Sequence, residues 1–166
     1  MEKENTACFT GHRTIPTESL PEILSRLYST VAQLILQGYD TFICGGAVGF
    51  DTEAAECVLA MKTRFPHVKL VLALPCRDQT VKWTNESDLF RYKKILGQAD
   101  DVKYIRTFYA PGCMHERNRW MTAHASACVA YLTAMRGGAY YTFNHASKHG
   151  LKTINIAETA KRKDIQ

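Results

Sequence analysis

Four short segments concentrate residues able to handle an anion: Thr10-Gly11-His12-Arg13, Gly45-Gly46-Ala47-Val48-Gly49-Phe50-Asp51, Pro75-Cys76-Arg77-Asp78 and Arg136-Gly137-Gly138. Glycine admits positive φ and removes the Cβ that would hold a phosphate away from backbone amides. Gly45, Gly46, Gly49, Gly137 and Gly138 are therefore candidate phosphate contacts, with Arg13, Arg77 and Arg117 as the cations that neutralise the charge. The same glycines would also serve tight strand-to-helix turns, because their spacing is neither that of a Walker A loop nor the full G-x-G-x-x-G of dinucleotide sites. A helix N-terminus contributes only about 0.3–1 kcal/mol toward an anion. Useful affinity needs the arginines as well.

The other polar candidates each leave two roles open. His12 is suited to contact a ligand or exchange a proton, and equally to hold a turn through structural hydrogen bonds. Asp51 is suited to receive a ribose hydroxyl or act as a general base, and also to cap the helix that follows it. Arg117 and Asn118 lie in Met114-His115-Glu116-Arg117-Asn118-Arg119-Trp120-Met121, on a helix whose start is set by Pro111. Four-residue spacing puts Arg117 and Met121 on one face; the plainer reading of Arg117 is a solvated arginine with an ion-pair partner. Trp83, Phe90, Tyr92, Phe108 and Tyr109 offer π-faces to a base or fill the core, and Trp83, beside a polar loop, is the preferred stacking residue.

These segments must be positioned by the elements between them. Short β-prone runs at Ala7–Thr10, Thr41–Cys44, Lys69–Leu74, Val102–Ile105, Ala127–Thr133 and Thr153–Ile156 alternate with stretches of helical period. That alternation predicts βαβ units: a single α/β domain spanning residues 1–166, a three-layer sandwich around a mostly parallel sheet. Helices are expected over Glu18–Gln37, from Asp51 onward, and over Asp88–Gln98, Pro111–Ser126 and Tyr140–His149. In the first of these, Leu20, Ile23, Leu24, Leu27, Val31, Leu34 and Ile35 form an apolar stripe that Gly38 terminates. Right-handed crossovers would then bring the chemically equipped loops to one edge, where open α/β sheets bind ligands.

Composition narrows the class. With 46% apolar and 22% charged residues the chain has the makings of a packed core, not of a disordered segment. Residues Met1 to Thr6 lead straight into an apolar strand without a signal-peptide core, and no apolar run is long enough to span a membrane, so a cytoplasmic protein without membrane contact is expected. The six cysteines contain no Cys-x-x-Cys pair, which argues against a zinc site or a disulfide framework and for no bound metal. A net charge of +5 favours anionic partners, although part of it sits in the terminal run Lys161-Arg162-Lys163, read as a solvated tail.

Four motifs together carry a resemblance: Cys8-Phe9-Thr10-Gly11-His12-Arg13, Cys44 through Asp51, Leu74-Pro75-Cys76-Arg77-Asp78-Gln79, and Pro111 through Arg119. The chain from Cys8 to Ala157 resembles the YpsA-like family of the SLOG superfamily, whose domains are Rossmann-like. The superfamily includes the LOG phosphoribohydrolases, which release a base from a nucleoside 5′-monophosphate, and the DprA proteins, which bind single-stranded DNA. Met114-His115-Glu116-Arg117 is similar to the Met-His-Glu-Arg motif of the LOG enzymes, whose arginine serves catalysis, and Gly137-Gly138 to their later phosphate loop. The likeness stops there: LOG enzymes continue with Gly-Thr and a catalytic glutamate, whereas this chain reads Ala139-Tyr140-Tyr141-Thr142-Phe143-Asn144.

The resemblance implies a nucleotide or nucleotide-sugar ligand of the ADP-ribose or NAD kind, with no obligatory cofactor. The implied ligand set is Thr10, Gly11, His12, Arg13, Gly45, Gly46, Gly49, Asp51, Arg77, Arg117, Asn118, Gly137 and Gly138. If chemistry occurs, Arg117 and Asp51 are its candidates. Hydrolysis of the nucleotide and binding of single-stranded nucleic acid stand as the alternative functions, and a homodimer is the oligomer the superfamily suggests.

Overall fold

The computed structural model of the chain describes residues 1–157; the Lys161-Arg162-Lys163 run lies outside them. After a short 3-10 turn at Lys3–Asn5 come strands β1 (Thr6–Gly11), β2 (Thr41–Cys44), β3 (Lys69–Leu74), β4 (Asp101–Tyr104), β5 (Ala127–Tyr131) and β6 (Lys152–Asn155). Helices α1 (Leu20–Leu36), α2 (Phe50–Met61), α3 (Glu86–Gln98), α4 (Cys113–Ala123) and α5 (Gly138–Lys148) alternate with them. The sheet order is β4-β3-β2-β1-β5-β6, and every pairing is parallel. The expected mostly parallel Rossmann-like sandwich is thus wholly parallel.

Period-2 alternation splits the strand residues between two cores. Ala7, Phe9, Phe42, Cys44, Leu70, Leu72, Leu74 and Val129 pack with the apolar stripe of α1 and with α2 and Ile95 of α3. Cys8, Ile43, Val71, Ala73 and Cys128 pack on the other face with Met121, Ala125 and Ala146. Both faces of the sheet are therefore covered, which is why its strands read as apolar runs without polar alternation. All six cysteines are buried free thiols, and Cys8, Cys44, Cys57 and Cys128 belong to these cores. Cys8 and Cys128 stand opposite each other in register.

Helix boundaries depart from the expected ones for local reasons. Helix α1 begins at Leu20 rather than Glu18, with a proline in its first turn where a missing N–H costs nothing. Helix α4 starts at Cys113 rather than Pro111, because Gly112 sits left-handed at φ 83° and holds the chain out of the helix until the next residue. No helix among the described residues is long and apolar enough to cross a membrane.

The chain builds outward from β1 through β2 and β3 to β4, then returns to place β5 and β6 on the other side of β1. The strand order therefore reverses between β1 and β5. At that switch the two flanking connections leave in opposite directions and a crevice opens at the carboxyl ends.

Candidate functional site

The crevice is present as a cleft of about 370 Å³ at the ends of β1 and β5. Thr10, Gly11, His12 and Arg13 from the β1 exit line it, with Ala47 and Asp51 from the β2 exit. Helix α4 contributes Met114, Arg117, Asn118 and Met121, and the α5 entrance contributes Arg136, Gly137, Gly138 and Ala139. Nine of the thirteen residues expected to hold the ligand thus line it, brought together only through tertiary folding: three separate βα connections and one helix meet at one point.

Arg117 is the buried centre of this arrangement, 6% exposed. Its Nε donates to Asn118 Oδ1 at 2.7 Å and its Nη1 donates to the Gly45 carbonyl oxygen. The solvated-arginine reading is therefore replaced by a buried cation, placed inward by the same helical face that buries Cys113 and Met121. Burial lowers the guanidinium from its ordinary value while the nearby Asp51 charge opposes that shift. Arginine nonetheless stays protonated.

Asp51 is 7% exposed and lies in the first turn of α2. It is not the N-cap: that position belongs to Gly49, with φ 80°, and the Asp51 carboxylate instead accepts the Ala47 N–H at 3.2 Å. Burial raises its carboxyl above the usual carboxylate range, against the pull of Arg117, the Ala47 N–H and Arg13. A carboxyl that holds its proton more tightly than usual, beside a buried guanidinium, can accept or donate at a sugar hydroxyl.

Neither Asp51 nor Arg117 takes part in any of the ion pairs among the described residues, and Arg13 also has none. Asp51 and Arg117 feel each other's charge without closing an ion pair, while Arg91 is committed to Glu53 and Glu56 and Arg106 to Glu116.

His12 lines the cleft and also makes structural hydrogen bonds. Its backbone N–H donates to Tyr131 O at 3.1 Å, its carbonyl accepts the Phe50 N–H at 3.1 Å, and its Nε2 accepts the Thr133 N–H at 2.9 Å. One residue thereby ties the exits of β1, β2 and β5 together.

The glycines divide into two kinds. A Cβ on Gly45 would lie 2.8 Å from both Arg117 Cζ and Asp51 Oδ2, and one on Gly46 would run into the Leu74 side chain. On Gly49 it would come within 2.7 Å of Arg13 Cα. None of the three lines the cleft. The phosphate cradle expected there is corrected: the space above these glycines is filled by protein, and they let the loops and Arg117 close up. Gly137 and Gly138 do line the cleft, and a Cβ on either would meet nothing within 4 Å. Gly137, at φ 88°, caps α5 without any side-chain acceptor, so the first N–H groups of that helix are free for a ligand.

Arg77 is not brought to the site. It is exposed, its guanidinium stacks 4.2 Å over the Tyr104 ring, and it lines neither cavity at this edge. Arg136 takes the place of a third cation, and the signal for it was available: an arginine immediately before the one glycine pair that opens a helix.

A second cavity of about 530 Å³ adjoins the cleft and shares Arg13, Ala47 and Met114 with it. Cys76, Asp78, Gln79, Lys82, Trp83 and Tyr109 are among its other walls. Trp83, expected as the stacking residue, is half-buried here and packs edge-on to Tyr92 at 5.3 Å. Phe90 and Phe108 are exposed outside both cavities.

The SPbeta prophage-derived protein YoqJ of Bacillus subtilis is 28% identical to the chain over 140 residues, covering 76% of this chain and 81% of YoqJ. A UPF0398 protein of Leuconostoc citreum is 29% identical over 140 residues, covering 80% and 73%. Among solved structures, DNA processing protein A of Streptococcus pneumoniae superposes with a TM-score of 0.63 at 16% identity, covering 96% of this chain and 53% of that one. The Helicobacter pylori protein of the same name, whose structure is described as showing a single-stranded DNA binding mode, gives 0.62 at 16%, covering 91% and 64%. The chain thus spans about half to two thirds of these structural neighbours, and the likeness is one of fold. The family model described as "YspA SLOG family" matches residues 16–159, and the chain belongs to this YpsA family of SLOG proteins.

Proposed function

We propose that the protein binds a nucleotide or nucleotide sugar, of the ADP-ribose or NAD kind, with a phosphate in the cleft between the ends of β1 and β5. The observation that carries this reading is the uncapped, unobstructed α5 N-terminus at Gly137-Gly138 lining the same cleft as Arg13, Arg117 and Arg136. A helix terminus supplies about 2 kcal/mol to an anion at most, and micromolar binding needs about 8. The arginines and contacts to the sugar and base must supply the remainder. Asp51, a carboxyl in a site otherwise built for an anion, is suited to the ribose hydroxyls.

A thermal-shift panel with AMP, ADP-ribose, NAD and a short single-stranded oligonucleotide, at two salt concentrations, tests this. A ligand at a hundred times its dissociation constant adds about 2.7 kcal/mol, a shift of roughly 5–11 °C for a domain of this size. Arg136→Ala, at an exposed position, leaves the unliganded melting temperature in place and reduces the shift. An oligonucleotide response that falls steeply with salt, with none from nucleotides, would replace this reading with single-strand binding.

One observation favours a second reading, cleavage at the nucleotide's ribose: the raised Asp51 carboxyl stands in the same cleft as Arg117. Chromatography of each nucleotide after incubation at high protein concentration decides it. Release of free base, lost in Asp51→Asn, makes the protein a hydrolase; unchanged nucleotide removes this second reading.

A further inference from the structure

We propose that the second cavity is the base subsite of the same ligand, and that Gln79 selects a nucleobase carrying an amino group. This rests on the phosphate reading above and names what lies at the other end of the molecule.

The two cavities meet at Arg13, Ala47 and Met114, so one ligand can occupy both. Their linings differ in kind. Beyond the shared Arg13, the cleft holds Arg117, Arg136, the Asp51 carboxyl and the open glycines, whereas the second cavity has Val48, Val81, Trp83 and Tyr109 among its walls beside Asp78 and Lys82. A sugar phosphate suits the first, and a flat aromatic ring suits the second.

Gln79 supplies the selectivity. Its Nε2 donates to the Gly46 carbonyl oxygen at 3.2 Å, which fixes the amide and leaves Oε1 as an acceptor. That Oε1 is the buried side-chain polar atom without a hydrogen-bond partner among the described residues. Asp78 lines the same cavity and its Oδ1 accepts the Tyr109 N–H at 2.8 Å; its second oxygen is a rival acceptor, so substitution of Gln79 is what assigns the selectivity. An unsatisfied buried acceptor costs about 1–3 kcal/mol. A ring amino group recovers that cost, whereas a ring without a donor leaves it standing. Oε1 is closed off from water in the unliganded protein, so the cavity wall around Gln79 must give way as the ring enters.

The test is calorimetric titration of the full chain with two matched pairs: AMP against purine riboside 5′-monophosphate, which lacks only the amino group, and CMP against UMP. Wild type is expected to prefer the amino-bearing member of at least one pair by about 5- to 150-fold, the equivalent of the 1–3 kcal/mol above. Gln79→Met should bind both members of that pair alike, at the weaker affinity, while Trp83→Ala should weaken both by the same factor. Equal binding of both members by wild type overturns the Gln79 proposal and leaves the phosphate reading intact. Binding of none of the four overturns the base-subsite proposal, and the phosphate reading falls with it only when ADP-ribose and NAD also fail to bind. A preference that survives in Gln79→Met also overturns it, because the selectivity then lies elsewhere.

Discussion

Two glycine-rich loops leave the sheet at the same edge, one after β2 and one after β5, and they differ in what stands over the glycines. Over Gly45, Gly46 and Gly49 there is protein: Arg117 with Asp51, Leu74, and the Arg13 backbone. Over Gly137 and Gly138 there is open space at the mouth of the cleft. The same residue type thus serves close packing in one loop and ligand access in the other. Glycine content alone does not separate the two; the deciding fact is whether another part of the chain arrives to fill the vacancy.

The contrast should be sharpest at Gly49. Its φ of 80° strains any other residue, and an added Cβ meets rigid backbone at Arg13. Gly49→Ala is expected to destabilise the fold by about 3–5 kcal/mol, combining backbone strain and overpacking, as read from urea denaturation. A loss below about 1 kcal/mol would mean the β1 and β2 loops separate easily, and the packed-loop reading would fail.

Arg117→Met probes the same loop through its charge, leaving Asp51 buried without its main counter-charge. A loss of about 2–4 kcal/mol near neutral pH is expected. Its pH dependence follows from Asp51, whose folded-state pKa already lies above the unfolded value of about 3.9. Ionising a group shifted upward in this way costs the fold stability as pH rises from the unfolded value through the folded one. Removing Arg117 raises the folded value further and widens that window. The stability gap between variant and wild type should therefore narrow on acidification from pH 7 toward pH 4, and a gap that is flat with pH would exclude Asp51 as its cause.

Gly138→Ala should have the smallest effect on the fold. Its φ is not in the left-handed range, and a Cβ there meets nothing, so stability should stay within about 0.5 kcal/mol of wild type. Nucleotide affinity, by contrast, should fall about tenfold, or ~1.4 kcal/mol. Unaltered affinity would place the phosphate away from α5.

Much of the fold was legible because it is local. The stripe from Ile23 to Ile35 reports its burial through period, and the runs at β2, β3 and β5 report theirs through unbroken apolarity. The convergence of Arg13, Asp51, Arg117 and Gly137-Gly138 followed from parallel topology. What was not legible depends on distant partners. Gly45 and Arg117 are 72 positions apart, and nothing near Gly45 announces that a guanidinium will occupy its missing Cβ. Arg77 failed for the converse reason, since Tyr104 on the adjoining strand β4 draws its guanidinium away. Asp51 looked like a cap because it opens a helix by position, yet Gly49 had already turned the chain.

The three hydrogen bonds gathered by His12 give the two walls of the cleft unequal freedom. Through them the exits of β1, β2 and β5 are one cross-linked unit, so the amides of His12, Phe50 and Thr133 should exchange with solvent deuterium more slowly than loop amides do. The α5 entrance around Gly137-Gly138 has no comparable packing over its glycines. Binding would then find one wall already ordered and would restrict motion in the other. The entropic penalty of capture falls on a few residues of a single loop, which lets a small anion be held without rearranging the domain.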